Sequence, residues 1–130
     1  MTPELMMLLY SALLLLVIIL LQAGLAIAQN GLRAQAGSRD SLPEPSVLRA
    51  RLLRLSANMQ ENLVMFAIVV LVANAAGVSN ETTVLGASIF FYARLAHAVI
   101  YAFGWPMIRP LFYFVSLYGM IIIALEVLKS

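Results

Sequence analysis

The sequence predicts an all-α integral membrane protein, a bundle of four transmembrane helices. Composition is the first reason: 63% of the 130 residues are hydrophobic and the mean hydropathy is +0.97, too apolar for a soluble domain. The second is where the charges sit. They gather in one loop and at segment ends, leaving apolar runs long enough to cross a hydrocarbon core of roughly 30 Å. One domain is expected over 1–130, with helices at about 4–29, 47–78, 83–103 and 107–128 and a polar loop at 30–46. There are no cysteines and one histidine, which excludes disulfides, thiolate metal sites and any multi-histidine metal site within one chain. No metal and no nucleic-acid partner is expected.

The first segment, Met6–Ala28, holds 23 residues without a charge. Ala26-Ile27-Ala28 imitates a signal-cleavage site, but only Glu4 is charged ahead of the run, and the run exceeds the usual apolar region of about 7–15 residues. A retained spanning helix is expected. Gln29–Ser46 is punctuated by Gly31, Gly37, Pro43 and Pro45 and charged by Arg33, Arg39, Asp40 and Glu44, the pattern of a solvated loop. The second segment runs from about Val47 to Val78, roughly 48 Å if helical throughout, so its arginine-bearing start should protrude from the core. Asn74, Gly77, Ser79 and Asn80 end it. Asn80-Glu81-Thr82 is formally a glycosylation sequon, in a turn too tight and too near the membrane for use. The third segment, about Thr83–Phe103, is apolar except for Arg94 and His97. Gly104-Trp105-Pro106 breaks it. The fourth begins at about Met107 or Pro110 and runs to Leu128, with Arg109 at its mouth and Glu126 and Lys129 at its far end. Tyr92, Trp105, Tyr113 and Tyr118 read as interface or packing aromatics.

Basic residues set the orientation. Arg33, Arg39, Arg49, Arg51 and Arg54 flank the 1–2 connection and Arg109 the 3–4 turn, while the 2–3 turn has none and the termini offer Lys129. The 1–2 and 3–4 connections of this multi-pass chain are therefore expected to be cytoplasmic, with both termini on the opposite side.

The stretch Val47–Phe66 starts as an arginine-rich helix and enters an apolar span without a breaker. With Arg51 at zero, Arg54, Asn58 and Glu61 fall at roughly 300°, 340° and 280°, one narrow stripe. Counted from Arg94, His97 and Tyr101 fall at roughly 300° and 340°, a second stripe. Depths agree: Glu61 and Asn58 lie about 24 and 28 Å from the level of Gly77, His97 and Tyr101 about 21 and 27 Å from Thr83. Polar groups placed so deep usually face a bundle interior or a wet cavity. Plainer readings stand beside this. Arg51 and Arg54 snorkelling to headgroups is one, and a packing pair of Glu61 with Arg94 is another. Asn58 bonding across a helix contact, His97 as a satisfied core group and Tyr101 as an anchor complete them. Guanidinium forks suit carboxylates, Glu61 suits an ammonium group, and an arginine near a thiol stabilises its thiolate. Glutathione, with two carboxylates, one amine and a thiol, fits that inventory; a phospholipid headgroup fits the residue types equally.

The run Arg54-Leu55-Ser56-Ala57-Asn58-Met59-Gln60-Glu61-Asn62 resembles the R-x-x-x-N-x-x-E core of the membrane-associated proteins in eicosanoid and glutathione metabolism, the MAPEG family. Arg94-Leu95-Ala96-His97-Ala98-Val99-Ile100-Tyr101, followed by Arg109-Pro110, is a second likeness. The resemblance implies a homotrimer with glutathione held between neighbouring protomers near the cytoplasmic side. It assigns Arg54, Asn58, Glu61 and His97 to glutathione, with Arg33 contributed by the adjacent protomer. Arg109 would stabilise the thiolate, aided by Tyr101, while Arg51 and Arg94 are read as structural or supporting polar residues. Ala57 stands where some members carry a basic or amide residue, Asn62 where some carry an aromatic, and the 3–4 turn is compact. The expected activity is a glutathione transferase or peroxidase acting on lipophilic electrophiles from the bilayer. The alternative is a non-catalytic lipid-binding scaffold on the same fold. A small transporter would need a path along the trimer axis.

Overall fold

The structure, a computed structural model, describes residues 1–105 and 107–130. Five helices follow one another: α1 (Pro3–Asn30), α2 (Leu32–Ala36), α3 (Val47–Ala75), α4 (Glu81–Phe103) and α5 (Arg109–Lys129). All but α2 are long and apolar enough to cross a membrane, as four-span hydropathy predicts. The five-residue α2 interrupts the polar loop, where too few residues repeat for a helical period to be read. The third element of the Gly104-Trp105-Pro106 breaker, Pro106, lies outside the described residues.

Local chemistry sets most ends. Thr2 caps α1 through Leu5 N–H at 3.2 Å, with Pro3 in the first turn, where its missing N–H is harmless. Ser46 caps α3 through Arg49 N–H. Asn80 and Thr83 form a reciprocal capping box at the start of α4, satisfying two donors the helix leaves unpaired. Gly104 ends α4 in the left-handed region at φ 77°, a conformation that favours glycine.

Antiparallel α4 and α5 approach most closely. A Cβ added at Gly86 would lie 2.5 Å from the Gly119 carbonyl, and one at Gly119 would lie 2.5 Å from the Gly86 carbonyl. Only glycine on both sides permits that spacing, a device favoured where lipid gives helices no hydrophobic reason to associate. Helix α1 packs on α3 and α4, and α3 touches α5. The principal core joins Phe66 and Val70 of α3 to Phe90 of α4 and Ile123 of α5, with Phe66 and Phe90 stacked at 3.9 Å. Leu13, Leu20, Leu71, Leu85, Phe114 and Ile121 remain exposed, the apolar coat a lipid-bathed bundle requires.

The end at which α1 and α4 begin is held by polar bonds. Glu4 is buried and accepts hydrogen bonds from the Ser79 hydroxyl at 3.0 Å and from Thr83 Oγ1 at 3.1 Å. Asn80 Nδ2 donates to Glu126 at 3.1 Å. At the other end Gln29 pins the long loop, donating to the Glu44 carbonyl and accepting from Ser46 N–H.

Candidate functional site

The polar stripes of α3 and α4 meet where α4 ends and α5 begins, with Tyr101 at the junction. Its hydroxyl accepts a hydrogen bond from Arg54 Nε at 3.1 Å. The Arg109 guanidinium lies over its ring, 4.9 Å from the centroid, a cation–π distance. His97 is tilted against Tyr101 at 5.6 Å and against Tyr113 at 6.4 Å. The second meeting point is Arg94, which donates from Nη2 to Asn58 Oδ1 at 2.7 Å and from Nε to Met59 Sδ at 3.2 Å. Arg51 closes the rim: its guanidinium carbon would be 2.7 Å from a Cβ at Gly104.

The electrostatics are one-sided. Arg94 is 1% exposed and His97 is 3% exposed, yet Arg94 Nη1 and His97 Nδ1 find no hydrogen-bond partner among the described residues. The one ion pair among the described residues joins Lys129 to Glu126, on the terminal turn of α5 remote from this cluster. The set Arg51, Arg54, Arg94 and Arg109 thus carries no paired carboxylate among the described residues. A buried guanidinium bonded to two neutral atoms leaves its charge uncompensated, which costs several kcal/mol unless a further group supplies it. An acceptor-rich anion is the group this donor set can satisfy.

Glu61 is not in the cluster. It is exposed on the single chain, so the packing pair with Arg94 does not form and Asn58 takes that place. The reason is the roll of α3. Its buried residues, among them Leu52, Leu55, Met59 and Phe66, centre at roughly 80° when Arg51 is zero, so Asn58, Arg54 and Glu61 lie roughly 100°, 140° and 160° away. The α4 stripe is the opposite case. The buried face of α4 centres at roughly 320° counted from Arg94, and Arg94, His97 and Tyr101 all fall within about 40° of it. Within one chain, then, Glu61 and His97 have different surroundings. Arg33 is exposed on α2 and, among the described residues, no hydrogen bond ties it to Tyr101 or His97.

Of the aromatics expected at the interface or in packing, Tyr113 packs in the cluster, against His97; its position one helical turn after Arg109 was the available sign. Tyr92, Trp105 and Tyr118 are exposed.

Four spanning helices with unpaired guanidinium groups gathered around a tyrosine and a histidine define a polytopic membrane protein with a cationic end. A family model described as the MAPEG family matches residues 7–129 of the 130-residue chain, and the chain belongs to that family. The family contains glutathione transferases and peroxidases and also members without catalytic activity. Comparison with curated proteins and with solved structures gave no match.

Proposed function

We infer that the protein is a glutathione-dependent transferase or peroxidase that acts on lipophilic electrophiles entering from the bilayer. The observation that carries this reading is the uncompensated positive charge along the α4 stripe: Arg54 and Arg109 on the Tyr101 phenol, and Arg94 buried roughly 10 Å further along the helix with Nη1 unbonded among the described residues. Glutathione matches that deficit with two carboxylates for the guanidinium forks and a thiol that ionises in their field.

On this reading Arg54, Asn58 and His97 bind the peptide, and Arg109 holds the sulfur as thiolate, the form that attacks. Tyr101, already accepting from Arg54, orients the two arginines and donates to the sulfur. In the transferase reaction the new bond joins sulfur to the electrophilic carbon, and the leaving group departs with the electron pair. Glu61 is the natural partner of the peptide's ammonium group. An ionisable side chain roughly 21 Å along a spanning helix and exposed to lipid is costly, and a neighbouring copy would cover it. That supports a trimer whose binding sites lie between protomers, with Arg33 reaching in from the adjacent chain and the arginine-bearing connections on the cytoplasmic side. The second reading, a lipid-binding scaffold, draws on the same unpaired arginines, which would then hold a lipid headgroup.

The test is conjugation of a generic aryl halide by the purified full chain with saturating glutathione, together with the ultraviolet absorption of the bound thiolate. Both signals are expected in the wild type, with a loss of tenfold or more in Arg109→Ala. Absence of both signals, with glutathione failing to displace co-purified lipid, would leave the scaffold reading in its place.

A further inference from the structure

A cationic pocket lies apart from the Tyr101 cluster, between the end of α1, α2 and the start of α3. Its volume is about 330 Å³ and Gln22, Ile27, Leu32, Gln35, Arg39 and Arg49 line it, within the lower range of small-ligand sites. Arg49 is 8% exposed, and its side chain donates from Nε to the neutral Gln22 Oε1 at 3.1 Å. Arg39 adopts a left-handed backbone at φ 68° and donates from Nε to the Gln35 carbonyl, which leaves its terminal nitrogens for a ligand. Asp40 and Glu44 of the same loop are exposed, and neither pairs with Arg39 or Arg49 among the described residues.

Depth identifies the surroundings. Gln22 precedes the end of α1 at Asn30 by roughly 12 Å, and α1 is roughly 42 Å long against a core of roughly 30 Å. The pocket therefore sits where headgroups meet acyl chains. Two guanidinium groups and two amides face a wall formed by Ile27 and Leu32. Guanidinium forks match phosphate oxygens, basic pockets between spanning helices hold anionic headgroups, and the apolar wall suits a glycerol backbone and first methylenes. We propose that this pocket binds the phosphate headgroup of an anionic lipid, with Arg49 as the anchor and Arg39 as the second contact. The site shares no arginine with the Tyr101 cluster and stands whether or not glutathione binds there.

The experiment is native mass spectrometry of the full chain released from nanodiscs of mixed phosphatidylglycerol and phosphatidylcholine, with inorganic phosphate as a competitor. Wild type should retain phosphatidylglycerol in preference to phosphatidylcholine. Arg49→Gln should weaken that retention about fivefold, the effect of one basic side chain against an anionic headgroup. Arg39→Gln, at an exposed position that does not threaten folding, should weaken it less and decides the matter if the first variant is not recovered. Competition by inorganic phosphate assigns the pocket to the phosphate group alone, and retention that resists it assigns the pocket to the lipid. Equal retention of the two lipids by wild type overturns the proposal. So does undiminished phosphatidylglycerol binding in the variants, or an equal loss on removing charge at the opposite end with Lys129→Gln.

Discussion

The stripe of α3 and the stripe of α4 carry similar residues at similar depth, and the fold treats them in opposite ways. On α4, Arg94 and His97 are buried and fall near the centre of the packed face. On α3, Arg54 and Glu61 are exposed and lie far around the helix from Leu55, Met59 and Phe66. The stripes touch only at their edges, through Arg54 with Tyr101 and Asn58 with Arg94. A buried polar group is built into the stability of its own chain, whereas an exposed one at membrane depth awaits a partner. Substitutions on α4 should therefore disturb folding, and those on α3 should disturb binding and association.

The strongest way to break the contrast is to unseat α4. Gly119→Leu places a side chain against the Gly86 carbonyl and Phe90 N, 2.5 and 2.8 Å from the first carbon added. A loss of about 3 kcal/mol or more is expected in denaturant titration of the micellar protein, the upper range for overpacking. Next comes Arg94→Ala, which empties a buried site and strands Asn58 Oδ1; relief of the uncompensated guanidinium offsets part of that cost, and a net loss of about 1–2 kcal/mol should remain in the same titration. Tyr101→Phe removes the shared hydroxyl where the stripes meet. About 1 kcal/mol of stability should go with the Arg54 bond, and aryl halide conjugation should fall in parallel. The smallest stability effect belongs to Glu61→Gln, within about 0.5 kcal/mol for an exposed side chain. If Glu61→Gln destabilised the chain as much as Arg94→Ala, the contrast would be lost.

The four spans were legible because each apolar run is longer than any soluble core helix needs. The ends marked by Ser46, Asn80 and Gly104 follow from side chains that cap or stop a helix. The roll of α3 was not legible. Lipid is as apolar as a packed core, so hydrophobic periodicity does not tell the inward face of a spanning helix from the outward one. Azimuth placed Arg54, Asn58 and Glu61 on one side without saying which side. On α4 the stripe lies on the face that also carries the small buried residues Ala93 and Ala98, next to Arg94 and His97 in the chain. The burial of Glu4 was not legible for a related reason: its hydroxyl partners Ser79 and Thr83 are distant in sequence and follow no period. Arg49 counted in the sequence only toward the orientation of the 1–2 connection; its bond to Gln22 joins α3 to α1.

Calorimetric titration of glutathione into the full-length protein, wild type and Glu61→Gln, bears most directly on the central claim that the inward and outward stripes together make one glutathione site, with the arginines on its carboxylates and Glu61 on its ammonium group. Saturable binding is expected in the wild type, weakened about tenfold, or roughly 1.4 kcal/mol, by Glu61→Gln with no change in unfolding temperature. No binding heat in the wild type, or the same affinity in both proteins, would contradict it.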